Sequence, residues 1–243
     1  MVPDLPATLS HIAADGRRII DLAEASPDAD VKACPGWSLT DLAIHTGGIH
    51  RMAAHWVSNR VSRMERWPDA EPDDRADPFT WSREGLGLLL HALKGADPND
   101  SVWSWTDRRN AGFYQRRMMH ENAVHRWDAE AAIGTPGPID ADVATDGIDE
   151  VLAVGMRFRG SGAPIDYPDG SVLLARTDGT DRWLIRSLDG TLQVARNADA
   201  GDTADATLTG HAEDLLLYLW GRPHAAIAAG ADDVATAWAH VAP

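Results

Sequence analysis

Residues 116–130 read RRMMHENAVHRWDAE, and this stretch decides how the first half of the chain is organised. It lies inside a pattern that predicts a helix from about residue 112 to 133, which the Gly/Pro-rich stretch 134–138 ends. Residues four apart in a helix lie on one face, one turn apart. The carboxylate of Glu121 and the imidazole of His125 are therefore expected to reach a common metal ion.

Three more helical patterns precede this helix, and together they predict a four-helix bundle for a domain spanning 1–138. They cover residues 6–25, 38–62 and 80–93. Ser38, followed three residues later by Asp41, predicts an N-cap for the second helix. Gly47 and Gly48 lie in the interior of that helix, where glycine is unfavourable, and so predict close approach of a neighbouring helix or a ligand.

The second half of the chain predicts an α+β domain spanning 139–243, so the whole chain is expected to be an α+β protein. Short runs rich in Val, Leu, Ile and Trp alternate with Asp-Gly turn signals and predict an antiparallel sheet. The expected strands are 172–176, 182–187, 191–196 and 206–209, and the expected helices are 146–158, 212–220 and 232–240. Residues 160–170 are expected to form a loop.

The composition of the chain indicates which kinds of partner to expect. The formal net charge is −15, with 24% charged and 44% hydrophobic residues, which is the balance of a soluble globular protein. No stripe of Lys or Arg is present to neutralise phosphates, which argues against nucleic acid and anionic membranes as partners. The N-terminal residues resemble no signal peptide, and no apolar run is long enough to span a bilayer, so we expect a cytoplasmic protein.

A third metal ligand is needed, because Glu121 and His125 alone are a weak signal. Cys34 is the only cysteine, so we expect any metal to use histidine and carboxylate. His45 is the best candidate because it lies among apolar residues of the second helix; alternatively it is a core histidine bonded to a carbonyl or to Asp41. Two His and one Glu would leave an open coordination position, as in catalytic zinc sites.

Three blocks of the sequence resemble the mycothiol-dependent maleylpyruvate isomerase family. They are CPGWSLTDLAIH at 34–45, RMMHENAVHRWD at 117–128 and DLLLYLWGR at 214–222. The resemblance implies a DinB-like bundle that holds a divalent metal, usually zinc, and a smaller C-terminal domain of the sterol-carrier-like type. It also implies that His45, Glu121 and His125 are the metal ligands and that mycothiol is the cofactor.

The resemblance implies a zinc-dependent, mycothiol-using isomerase or thiol S-transferase acting on a small electrophilic, carboxylated substrate. Zinc would lower the pKa of a bound thiol, and the thiolate would add to an activated double bond or attack an electrophilic carbon. The alternatives are a non-catalytic metal- or ligand-binding regulatory or carrier protein and a zinc-dependent hydrolase. We expect the partners to be a small-molecule substrate and a low-molecular-weight thiol, and the protein to be a monomer or homodimer.

Two arginines are candidate catalytic residues. Arg117 lies four residues before Glu121, where it would orient that ligand or hold a substrate carboxylate; a simple ion pair with Glu121 is the alternative. Arg222 ends the third block and could reach a substrate carboxylate across the domain interface. It could equally be a cation placed favourably at the C-terminal end of a helix.

Overall fold

The computed structural model of this chain describes residues 4–73, 77–158, 164–199, 201–239 and 241. The chain divides into two compact units, one ending at Ile139 and the other beginning at Asp140. The first unit is helical and the second combines a sheet with helices, which confirms the predicted α+β fold class. Among the described residues, no helix combines the length and apolar character that crossing a membrane requires.

The described residues of the N-terminal unit form four long helices: α1 (Leu5–Ala25), α2 (Leu39–Ser58), α3 (Pro78–Gly95) and α4 (Ala111–Ile133). Each begins at a residue whose side chain accepts a hydrogen bond from a backbone N–H of the first turn; these N-caps are Asp4, Ser38, Asp77 and Asn110. The capping box predicted for Ser38 is confirmed, since its side chain and that of Asp41 bind each other's backbone N–H. Helix α2 ends earlier than predicted, and Arg60 just beyond it has a positive φ of 47°.

Helices α2 and α3 approach closely at Gly47, which confirms the contact predicted from the paired glycines. A Cβ atom at Gly47 would lie 2.7 Å from the Trp81 ring and 3.1 Å from the Ser82 Cα. Real Cβ atoms essentially never lie as close as 2.7 Å to another heavy atom, and the contact at 3.1 Å is also unusually tight, so a side chain at this position would require α2 or α3 to shift. The glycine therefore sets the position of α2, the helix that carries His45.

The loop between α1 and α2 contains a tight turn from Cys34 to Trp37. The backbone N–H of Trp37 donates to the Cys34 carbonyl over 3.0 Å, and Gly36 has a φ of +85°. Proline at the second position and glycine with positive φ at the third are typical of a type II turn. The side chains of Cys34 and Trp37 pack against a buried core cluster that includes Leu39 and Ala129.

The C-terminal unit begins with α5 (Ala141–Glu150), which continues as a π-helical segment (Val151–Gly155). A five-stranded sheet follows, in the order β3-β2-β1-β4-β5, with α6 and α7 packed against β1 and β4. The strands are β1 (Ser171–Arg176), β2 (Arg182–Leu188), β3 (Thr191–Arg196), β4 (Ala206–Gly210) and β5 (Ile227–Gly230). The helices are α6 (Ala212–Leu219) and α7 (Asp232–Ala239).

The sheet differs from the prediction in one respect: it is mixed rather than antiparallel. The pairs β1/β2, β2/β3 and β4/β5 are antiparallel, but β1 and β4 are parallel. The reason is that the chain does not turn back directly after β3 but crosses to the other edge of β1 and runs in the same direction. The predicted loop 160–170 and the predicted end of the last helix at His240 lie partly outside the described residues.

Candidate metal centre

The structure brings together the three side chains that the sequence singled out as metal ligands. His45 is on α2, and Glu121 and His125 are on α4. Glu121 Oε1 lies 3.5 Å from His45 Nε2 and 3.2 Å from His125 Nε2. One donor atom from each residue lies within 4.8 Å of the other two. The bundle therefore creates a three-donor cluster from two helices that are distant in sequence.

The spacing of these donors fits a metal ion. A tetrahedral zinc with ligand bonds of about 2.0–2.2 Å holds its donor atoms about 3.3–3.5 Å apart. The separation of 3.5 Å between Glu121 and His45 lies in that range, and that of 3.2 Å between Glu121 and His125 is about 0.1 Å below it. The side chains of Glu121 and His125 are 9% and 7% exposed, whereas that of His45 is 32% exposed. The cluster thus opens towards solvent on the His45 side, where a fourth ligand could enter.

Arg117 keeps Glu121 ionised. Its guanidinium forms an ion pair with Glu121 Oε2, one helical turn away, and its side chain is 13% exposed. Burial by itself would raise the pKa of the Glu121 carboxyl, but Arg117 and the two histidines outweigh it and hold that pKa well below its usual range. The oxygen that faces the histidines is therefore available as an anionic donor.

Asp128 orients His125. Its Oδ2 lies 3.0 Å from Nδ1 of the imidazole, and its side chain has no exposed surface. Burial would lower the pKa of His125, but hydrogen bonds to Asp128 and Glu121 outweigh it and raise the pKa to about 9. A carboxylate on Nδ1 fixes the ring so that Nε2 faces Glu121, an arrangement typical of histidine ligands. From the sequence alone the role of Asp128 was ambiguous, although its position three residues after His125 was a usable signal.

The turn between α1 and α2 contributes two further side chains that the sequence analysis did not assign. The rings of Trp37 and His45 have centroids 4.8 Å apart, so the indole packs against the more exposed ligand. Cys34 Sγ forms a second group with His125 and Asp128 in which the potential donor atoms lie within 4.8 Å of one another. Cys34 is therefore a further potential donor, and no sequence signal links residue 34 to residue 125.

A second buried histidine, His50, lies behind the cluster without belonging to it. Burial lowers its pKa to about 4, despite the opposing hydrogen bond with Asn122. The ring is thus neutral at ordinary pH, and its Nε2 lies 3.0 Å from Asn122 Oδ1. Because a carbonyl oxygen only accepts, the proton is on Nε2. His50 therefore adds no positive charge beside the donors.

Arg222 lies just beyond the C-terminal end of α6, in the second unit. Its Nη1 donates to the Trp220 carbonyl over 2.7 Å, and its guanidinium carbon is 5.5 Å from the centroid of the Trp220 ring. Together with Tyr218, His224 and Asp232 it lines a cavity of about 490 Å³ within that unit. Arg222 therefore borders a space large enough for a small organic ligand.

Comparisons with known proteins agree with this architecture. The family model described as "Mycothiol maleylpyruvate isomerase N-terminal domain" matches residues 9–130, which include all three donors of the cluster. No curated protein matches the sequence. A crystal structure described as the mycothiol-dependent maleylpyruvate isomerase is similar, with a TM-score of 0.64, 14% identity and 93% of each chain covered. A histidine-to-alanine mutant of that enzyme gives a TM-score of 0.63, 13% identity and the same coverage.

At such low identity the structural likeness establishes the fold alone. The family match, by contrast, is a property of this sequence, and it confirms the resemblance carried by the blocks at 34–45 and 117–128. Because that match spans half of the chain, the protein belongs to the mycothiol maleylpyruvate isomerase N-terminal domain family.

Proposed function

We propose that this protein is a metal-dependent enzyme that uses mycothiol either to isomerise a small electrophilic, carboxylated substrate or to join the thiol to it as a thiol S-transferase. The observation that carries the proposal is the open three-donor cluster of His45, Glu121 and His125, which lies inside the family's N-terminal domain. The solved structures of similar fold are described as a mycothiol-dependent maleylpyruvate isomerase. That description motivates maleylpyruvate as the first substrate to test.

In this proposal His45, Glu121 and His125 hold a divalent cation, with zinc the best fit to two imidazoles and one carboxylate. When bound, such a cation lowers the pKa of a thiol at its vacant position, so that a thiolate forms near neutral pH. Arg117 holds Glu121 ionised and in place, and Asp128 holds the ring of His125. The 32% exposure of the His45 side chain marks the side from which a thiol would enter.

Arg222 is the proposed substrate-binding cation. A guanidinium recognises a carboxylate through two parallel hydrogen bonds, and a carboxylated substrate needs such a group. Tyr218, Leu208 and Ala235 also line this cavity, and such residues suit the carbon skeleton of a small acid. We further propose that the unit containing this cavity is the sterol-carrier-like domain that the family resemblance implies.

The experiment measures zinc in the purified wild type, in His45→Ala and in the control His91→Ala, which alters an exposed histidine on α3. Mycothiol binding is then titrated by calorimetry, and turnover is assayed with maleylpyruvate and a panel of other electrophiles. We expect zinc and mycothiol binding in the wild type and the control, and the loss of both in His45→Ala.

Three results would contradict the proposal in different ways. An unchanged zinc content in His45→Ala would show that the proposed site does not bind the zinc. Bound zinc without mycothiol affinity would favour a hydrolase or a carrier. Mycothiol binding without turnover of any electrophile would favour a binding protein.

Asp128→Asn is expected to lower the zinc affinity by about 10- to 100-fold, the usual effect of removing a group that orients a metal ligand. The amide keeps the shape of the carboxylate but loses the charge that fixes the His125 ring. Affinity is measured by competition with a chromophoric chelator. Asp21→Asn, at a side chain 62% exposed, is the matched control and should bind zinc as the wild type does. Equal affinities in the two variants would show that Asp128 does not support the centre.

A further inference from the structure

We propose a second metal site, formed by Cys34, Nδ1 of His125 and Asp128, that takes a thiophilic cation such as Cd²⁺ or Cu⁺ and excludes metal from the first site. Potential donor atoms of the three residues lie within 4.8 Å of one another. Glu121 faces Nε2 of His125 at 3.2 Å and Asp128 faces Nδ1 at 3.0 Å. His125 thus presents one ring nitrogen to each of two donor groups.

The second donor group is held in place before any cation binds. The Asp128 side chain is fully buried and that of His125 is 7% exposed, so neither has room to change direction freely. Cys34 is fixed by the type II turn, whose closing hydrogen bond joins Trp37 N–H to the Cys34 carbonyl over 3.0 Å. Cys34 as a residue is half-buried rather than enclosed in the core.

The two donor groups prefer different metals. His45, Glu121 and His125 offer nitrogen and oxygen, which suit borderline cations such as zinc, whereas a thiolate selects soft cations. On binding, the Cys34 thiol releases its proton to solvent and a sulfur–metal bond forms. The cation therefore gains a ligand that the first site lacks.

The two sites exclude each other because a neutral imidazole has one lone pair. When His125 carries its proton on Nδ1, it donates to Asp128 and offers Nε2 to the first site. A cation on Nδ1 releases the Nδ1 proton to solvent and leaves the ring with a proton on Nε2, so His45 and Glu121 lose their third partner. Binding of a cation at the second site requires neither mycothiol nor catalysis. The loss of enzymatic activity that such binding would cause rests on the proposed function.

The test uses the metal-free protein with no low-molecular-weight thiol present, and Cd²⁺ as the probe. Cys34 is the only cysteine, so a sulfur-to-metal charge-transfer band in the ultraviolet reports coordination by that residue alone. We expect a Cd²⁺ band that saturates at one cation per chain in the wild type and in His45→Ala. Cys34→Ser should lack the band, and Asp128→Asn should weaken Cd²⁺ binding at least about tenfold.

Several outcomes would overturn the inference. One is the absence of the band in the wild type, and another is saturation at one cation per two chains. A third is unchanged Cd²⁺ affinity in Asp128→Asn, since this would mean that Cys34 binds the cation as an isolated thiol. Circular dichroism melting of each variant identifies any that fails to fold, in which case Cys34→Ala replaces Cys34→Ser.

A competition experiment separates this inference from the proposed function. One equivalent of Cd²⁺ should release zinc from the wild type but not from Cys34→Ser. If zinc binding depends on His45 as expected but no sulfur band forms, only the second site is wrong. If the band forms but His45→Ala binds zinc as the wild type does, only the first site is wrong.

Discussion

Glu121→Gln is expected to lower the zinc affinity by more than about 100-fold, because it removes a ligand rather than a group that supports one. It should also lower the free energy of unfolding of the metal-free protein by about 3 kcal/mol. The second effect has a separate cause. The Arg117 side chain is 13% exposed and loses the carboxylate that compensates its charge. Zinc affinity is measured by chelator competition and stability by chemical denaturation.

A double variant distinguishes the two effects. Arg117→Met in the Glu121→Gln background removes both charges, and replacing a buried ion pair with uncharged groups is often nearly neutral for stability. Stability should therefore recover, while zinc affinity should stay low. Glu24→Gln, which removes a carboxylate 53% exposed in its ion pair with Arg83, should change stability by less than about 1 kcal/mol. Wild-type zinc affinity in Glu121→Gln would contradict the ligand assignment.

Gly47→Ala is expected to destabilise the bundle by about 2 kcal/mol, although alanine is the better helix former by about 1 kcal/mol. The added methyl group would lie 2.7 Å from the Trp81 ring and 3.1 Å from the Ser82 Cα, and the latter is backbone that moves only with α3. Because His45 is two residues away, the displacement of α2 should also weaken zinc binding. Chemical denaturation followed by the helical circular dichroism signal measures the stability.

Gly87→Ala is the matched control, since it adds the same methyl group to a neighbouring helix where nothing lies within 4 Å. We expect it to stabilise the protein by up to about 1 kcal/mol, with no change in zinc affinity. Opposite signs for the two glycines would identify packing rather than helix propensity as the cause. Stabilisation by Gly47→Ala would mean that the two helices separate easily.

The local features of the bundle could be predicted because their causes lie within a few residues. The start of α2 follows from Ser38 and Asp41, which cap each other's backbone. The pairing of Glu121 with His125 follows from helical spacing. His45 required one further step, the assumption that a histidine among apolar residues faces the interior of a bundle. The family resemblance then favoured the same three residues.

The remaining features depend on contacts between distant parts of the chain. Nothing near Cys34 in the sequence indicates that it lies beside His125, because the type II turn and the packing of α1 against α4 bring the two residues together. Strand β5 was missed for a similar reason. Its sequence, Ile-Ala-Ala-Gly, has no alternation of apolar and polar residues, and it is a strand because it pairs with β4. The parallel pairing of β1 with β4 likewise depends on where the chain crosses the sheet.

The placement of the donors on two helices affects the rate at which proteases degrade the protein. His45 belongs to α2, whereas Glu121 and His125 belong to α4, so an ion held by all three cross-links the helices in the folded state only. Such an ion stabilises that state by about 2.7 kcal/mol when its free concentration is 100 times its dissociation constant. Proteases degrade the opened form, whose population falls as stability rises. The supply of the metal would then set the amount of this protein as well as its chemistry.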